Sequence, residues 1–199
     1  MKKYEEQKFS IPALKGISEK AIAEHLKLYA GYVKNANLVM EKIGEYAMQG
    51  PDKTFYVISE LWRRFSFEFD GMRNHEYYFR SLEGGPKPLP AGSAFKAAVE
   101  ELAPFNMWLE GFKGAALARG IGWAMLMWDP TLEQIVFTWV DQQHQGHLID
   151  TRPILLLDMW EHSYLFDYVP ADKKKYVEAF FENLNWEVIE KNFRKASGR

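Results

Sequence analysis

Cysteine is absent from the 199-residue chain. Disulfides, thiolate-bound zinc and iron–sulfur clusters are therefore excluded, and any metal must be held by histidine and carboxylate. No stretch approaches the roughly 18 to 20 apolar residues of a membrane span, and the start, Met1-Lys2-Lys3-Tyr4-Glu5-Glu6-Gln7, lacks the apolar region of a secretory leader. A soluble, cytoplasmic protein without membrane contact is expected. A formal charge of -2 gives no basic excess for nucleic acid, so attraction of an anionic substrate has to come from a local field. Internal repeats and low-complexity tracts are also lacking. Apolar residues are plentiful at 47%, with 16% aromatics, enough to build the core of one domain or of two small ones.

Ser18 is suited to cap a helix, with Ile17 before it and Ile22 at the fourth helical position as a hydrophobic staple, and Gly50-Pro51 is a natural stop. A long helix from about Glu19 to Met48 is predicted. Along it Ile22, His25, Tyr29, Tyr32, Ala36, Val39 and Ile43 step by three and four, the spacing of a narrow buried seam that contains His25. A second helix from about Phe55 to Phe79 repeats the pattern with Ile58, Trp62, Phe65, Phe69, Met72 and Phe79, and places His75 on the same stripe. Two long helices joined by so short a turn pack most simply as an antiparallel hairpin.

The run Gly84-Gly85-Pro86-Lys87-Pro88-Leu89-Pro90-Ala91-Gly92 cannot continue a helix and reads as a linker. Beyond it, helices are expected from Ser93 to about Leu102 and from Asn106 to Leu117. Trp123 to Trp128 and Gln134 to Val140 suggest a β-hairpin, and Ile154 to Leu157 a buried third strand. Pro170 opens a helix to about Asn183, and Glu187 to Arg194 form a last one. The expected fold class is α+β. An N-terminal antiparallel helical hairpin domain (1–85) precedes a C-terminal α/β domain (93–199) with a three-stranded antiparallel sheet.

The chemistry concentrates in Asp158-Met159-Trp160-Glu161-His162-Ser163-Tyr164, where a carboxylate and an imidazole stand four residues apart directly after an apolar run. A lone inward histidine is more often a hydrogen-bonded core residue than a ligand. Asp158 and His162 alone could be a structural pair, and His144 and His147, in a polar loop, read most simply as solvated. Three histidines and one aspartate together complete a protein shell for a first-row transition metal with one position open.

The Asp158-Met159-Trp160-Glu161-His162 segment resembles the signature of iron/manganese superoxide dismutases, and the resemblance extends along nearly the whole chain. It includes Leu14-Lys15-Gly16-Ile17-Ser18, His25 with Tyr32-Val33, Asn74-His75, Gly120-Ile121-Gly122-Trp123, Tyr176-Val177-Glu178-Ala179-Phe180-Phe181 and Asn185-Trp186. The resemblance implies that His25, His75, Asp158 and His162 hold one iron or manganese ion per subunit. It also implies that superoxide is converted to dioxygen and hydrogen peroxide as the metal cycles between its divalent and trivalent states. Tyr32 then stands as the gateway tyrosine that orders solvent and relays protons. Gln143, with Gln142 as the neighbouring alternative, hydrogen-bonds the metal-bound solvent, and Trp123 and Trp160 wall the pocket. Glu161 is implied to contact the ligand histidine of a second subunit in a homodimer or homotetramer.

The chain departs from the family pattern in places. One residue and a relay histidine are missing between His25 and Tyr32, which leaves a spacing that suits a regular helix, with Tyr29 near the vacated space. Phe79 stands where tryptophan is common, and Lys173 or a neighbour replaces an arginine near the substrate funnel. Two other function classes remain open on the sequence: a different His/carboxylate metalloenzyme, and a non-catalytic or low-activity member that serves in binding or assembly.

Overall fold

The Ser18 side chain accepts a hydrogen bond from the Ala21 N–H at 3.1 Å and so starts helix α1 (Glu19–Ala47), with Ile17 and Ile22 buried on either side of the cap. In this computed structural model, which describes residues 2–199, α1 is followed by α2 (Pro51–Leu82), α3 (Ala94–Glu100) and α4 (Phe105–Ala116). Strands β1 (Gly122–Asp129), β2 (Gln134–Asp141) and β3 (Arg152–Asp158) come next, then α5 (Lys173–Glu182) and α6 (Trp186–Ser197). Short 3₁₀ turns at Glu161–Ser163 and Pro170–Asp172 connect β3 to α5.

The seam read from α1 is buried along Ile22, His25, Tyr29, Ala36, Val39 and Ile43, and it packs on α2 as an antiparallel hairpin. The α2 stripe behaves differently along its length. Met72 and Phe79 are fully buried, but Trp62 is 49% exposed, because only the C-terminal half of α2 packs under the sheet. Periodicity marks which side chains share a face; it cannot tell where the covering layer ends.

The sheet is antiparallel in the order β2-β1-β3, with Gly122 opposite Asp141 and Trp123 opposite Asp158. Central β1 is buried along seven of its eight residues, as a strand covered on both faces should be. One hydrophobic core joins hairpin and sheet through Tyr29, Met72, Phe79, Trp123, Leu157 and Phe180. Each such side chain contributes about 1.5–3 kcal/mol by leaving water, so the helices that carry His25 and His75 are held firmly against the strand that ends in Asp158. No helix among the described residues is long and apolar enough to cross a membrane.

Candidate metal centre

Four side chains from separate parts of the chain converge where the hairpin meets the sheet. His25 comes from α1, His75 from α2, Asp158 from the last position of β3, and His162 from the 3₁₀ turn that follows. Their ligand atoms all lie within 4.8 Å of one another. Asp158 Oδ2 is the common centre, at 3.1 Å from His25 Nε2, 3.2 Å from His162 Nε2 and 3.5 Å from His75 Nε2. Asp158 and His75 are wholly buried and His25 nearly so, while the His162 side chain is 21% exposed.

Each member is oriented by what stands behind it. His75 Nδ1 lies 2.6 Å from the Gly71 carbonyl, an acceptor, so Nδ1 carries the hydrogen and the lone pair sits on Nε2. That Nε2 is buried and has no hydrogen-bond partner. A buried imidazole nitrogen left unpaired is costly in a core and natural in a metal ligand, so the residues present fit a metal ion. Asp158 Oδ1 accepts from the Trp160 N–H at 2.8 Å, which folds the chain back and brings His162 under the carboxylate. The Tyr176 hydroxyl and Ser163 Oγ both donate to the Asp158 carbonyl, at 2.9 and 3.1 Å.

Burial lowers the pKa of His75 to about 3 and also depresses that of His25, so both rings are neutral at pH 7 with lone pairs to give. Burial pushes the Asp158 carboxyl up, but His162 and His25 outweigh it and hold the group well below its ordinary range. One fixed negative charge beside the neutral His25 and His75 rings suits a divalent or trivalent transition-metal ion.

A second chain of contacts leads out of the cluster. Trp123 Nε1–H donates to Gln143 Oε1 at 2.8 Å, and Gln143 Nε2–H donates to the Tyr32 hydroxyl at 2.9 Å. Indole is a donor only, so the amide orientation is fixed and Tyr32 accepts from Gln143 while keeping its own proton. Burial, with the Asp158 charge adding to it, raises the Tyr32 pKa well above its usual value. Gln143 is fully buried in the site. Gln142 is exposed, at φ 53°, and only its carbonyl takes part, accepting from Trp160 Nε1 at 3.0 Å. Trp123 meets the edge of His75 with 5.1 Å between centroids, and Trp160 stacks on His162 at 5.8 Å.

Tyr32 follows His25 on an uninterrupted α-helix, in keeping with the seven-residue spacing. Tyr29 does not enter the Tyr32 chain: its hydroxyl accepts from the Gln7 N–H at 2.9 Å and donates to Glu76 at 3.3 Å, while its ring meets Phe9 and Phe79. Lys173 donates to the Ala118 carbonyl and lies over Trp139. Glu161 is exposed. His144 and His147, expected to be solvated, are partly buried, because their loop docks on α2 through Phe67 and Asp70.

Sequence reasoning missed Gly71. A Cβ there would stand 2.5 Å from Tyr32 Cδ1, so the absent side chain lets the tyrosine ring lie flat on α2. The available signal was a glycine inside an otherwise strong helix, one turn before His75, where it costs about 1 kcal/mol relative to alanine.

Comparisons with known proteins point one way. The model for iron/manganese superoxide dismutases, C-terminal domain, matches residues 90–192. The chain is 32% identical over 187 residues to an iron superoxide dismutase of Aquifex aeolicus, spanning 92% of this chain and 87% of that protein. Similarity to an iron superoxide dismutase of Cupriavidus metallidurans is 33% over 187 residues, spanning 92% of this chain and 91% of that one. A manganese superoxide dismutase of Haloferax volcanii is 33% identical over 174 residues, spanning 86% and 84%.

Proposed function

We infer, from the premise that this chain belongs to the iron/manganese superoxide dismutase family, that the His25, His75, Asp158 and His162 pocket is its mononuclear metal centre. The protein is an enzyme that converts two superoxide ions and two protons into dioxygen and hydrogen peroxide. The observation that carries the ligand assignment is the convergence of three imidazole nitrogens on one buried carboxylate oxygen, with His75 Nε2 left without any other partner.

Bound iron or manganese supplies a one-electron couple between its divalent and trivalent states. The chain supplies the rest. His75 and His25 offer neutral nitrogens because burial keeps protons off them, and Asp158 offers the single negative charge that favours a more highly charged ion. Trp123, Tyr78 and Phe79, all fully buried, keep the pocket dry and small, which suits a diatomic substrate. Tyr32 holds an unionised hydroxyl at the outer edge of the site, where it orders solvent and passes protons to the nascent peroxide. Gln143 bridges Tyr32 and the wall at Trp123, and its amide tunes the solvent that the centre holds.

The boundary between an N-terminal hairpin unit (1–85) and a C-terminal α/β unit (93–199) falls in the Gly84–Gly92 linker, with two ligands on each side. The active unit is a homodimer, alone or paired into a tetramer. Its interface contains Glu161, which reaches the ligand histidine of the second subunit. This reading is supported by the partial exposure of His162 and by Leu165 and Phe166, 46% and 48% exposed just beyond it.

The test is elemental analysis of the purified protein and superoxide turnover after reconstitution with each metal, alongside His75→Ala. Loss of both metal and turnover in the variant is expected, since it removes one of four protein ligands. A variant with stoichiometric metal and undiminished turnover rejects the ligand assignment.

A further inference from the structure

Helix α2 presents two neighbouring rows to its surroundings. Gly71 and His75, one turn apart, face Tyr32 and the ligand cluster, whereas Asp70 and Asn74, also one turn apart, face the loop after β2. That loop carries Gln143. It closes on itself through Asp141 N–H to the Gln145 carbonyl at 2.8 Å and Gln145 N–H to the Asp141 carbonyl at 3.1 Å, but neither bond ties it to α2.

The tie is made at the Gln143 main chain. Its carbonyl accepts from Asn74 Nδ2 at 3.0 Å and lies 3.3 Å from His147 Nε2. The same His147 nitrogen lies 3.6 Å from Asp70 Oδ2. A carbonyl and a carboxylate are both acceptors, so Nε2 must carry the hydrogen. The side chains of His147 and Asp70 are 32% and 26% exposed, so the contact is shielded from water on most sides.

We propose that His147, oriented by Asp70, is a positioning residue for Gln143. It anchors the Gln143 main chain to the helix that supplies His75, and so sets where the Gln143 amide stands relative to the metal ligands and Tyr32. The proposal rests on the metal-centre reading above. The Gln143 side chain has no slack: it is fully buried and held at both ends, 2.8 Å from Trp123 and 2.9 Å from Tyr32. A shift of its main chain therefore passes directly into the Tyr32 bond, whose strength depends steeply on the angle at the hydrogen. Asn74 holds the loop to α2 at Gln143, Phe67 meets it at His144 and Trp160 holds the Gln142 carbonyl. His147 adds a polar contact to α2 four residues after Gln143, which further restricts pivoting about the Asn74 bond.

The experiment uses metal-loaded protein and reads superoxide turnover and the visible absorption of the metal centre in five variants: His147→Phe, His147→Gln, Asp70→Asn, Gln143→Ala and the double variant H147F/Q143A. His147→Phe keeps a ring but no donor; it is expected to retain metal, lose roughly tenfold in kcat and shift the spectrum in the same direction as Gln143→Ala. His147→Gln, which restores an N–H donor, is expected to recover most of the loss. The double variant should match Gln143→Ala alone, because the amide that His147 positions is gone. A purely structural role would lower thermal stability while leaving the spectrum untouched. Wild-type turnover and spectrum in His147→Phe, or fully additive losses in the double variant, overturn the proposal. If His147→Phe does not fold, Asp70→Asn decides in its place: reduced kcat with a shifted spectrum supports the proposal, and wild-type behaviour overturns it. Failure of wild-type protein to hold stoichiometric iron or manganese overturns the metal-centre reading itself, and the proposal with it.

Discussion

Gly71→Ala probes a tightly packed contact beside the candidate centre. A Cβ at this position would lie 2.5, 2.6 and 3.0 Å from Tyr32 Cδ1, Cε1 and Cγ, all on the ring of the proposed proton relay. Non-bonded carbons rest at about 3.5–4.0 Å, so the ring has to retreat by roughly 1 Å. The Tyr32 hydroxyl starts 2.9 Å from Gln143 Nε2, and the retreat takes it beyond hydrogen-bond range. Overpacking costs about 1–3 kcal/mol and the lost bond about 1 kcal/mol. Alanine's helix preference over glycine returns about 1 kcal/mol. The net expectation is a destabilisation of about 1–3 kcal/mol, or about 2–12 °C in Tm for a chain of this size. Turnover should fall by about tenfold or more, since a positioned acid contributes about 100-fold or more, while metal content stays full because no ligand changes. Melting and superoxide decay after stopped-flow mixing, both on metal-loaded protein, measure the two effects. The decisive control is Tyr32→Ala. With the ring gone, adding Gly71→Ala should stabilise the protein by about 1 kcal/mol, reversing the sign. A Gly71→Ala protein with raised Tm and wild-type turnover would refute the close packing of Tyr32 on α2.

Tyr32→Phe keeps the ring and its packing but removes the hydroxyl that accepts from Gln143, so metal is retained while the pH profile or product inhibition changes; kinetics across pH that match wild type rule out the relay role. Glu161→Ala is expected to weaken both dimerisation and metal retention, and sedimentation with metal analysis at several protein concentrations checks it; an unchanged dimer with full metal shows that Glu161 has no such role. Acid destabilises the metal-free protein with a sign set by the buried rings. Folded His75 protonates only near 3, whereas an unfolded imidazole does so near 6.5, so the unfolded state binds the extra proton between these values. The stability is therefore fully present above about 6.5 and declines as pH falls towards 3, with His25 contributing in the same direction. Urea midpoints that stay flat from pH 7 to 5 contradict this.

The local devices were legible in the chain because each depends on nearby residues. Ser18 caps α1 as expected, His25 and His75 fall on inward stripes, and Asp158 with His162 are brought together by a turn within their own segment. Motif resemblance added iron or manganese as the metal and implied the roles proposed for Tyr32 and Gln143. The exposure of Trp62, by contrast, could not be read from periodicity, because α2 runs past the layer that covers its second half.

The sequence by itself determined the elements, the candidate ligands and the family, since capping, periodicity and motif spacing are properties of short stretches of chain. Only the tertiary structure shows that the Gln142 side chain, at positive φ, turns out to solvent while the Gln143 side chain turns in to Trp123 and Tyr32. Only it showed Tyr29 bound to Gln7 and Glu76 rather than to Tyr32 or Gln143, His147 set against Asp70, and the Tyr32 ring resting on Gly71. These contacts join residues from about 40 to more than 100 positions apart, apart from the Tyr29–Gln7 and Trp123–Gln143 bonds, and their geometry follows from how α1, α2 and the sheet pack around one core. No local pattern in the chain encodes such a distance; it exists only once the packed layers have fixed where each backbone runs.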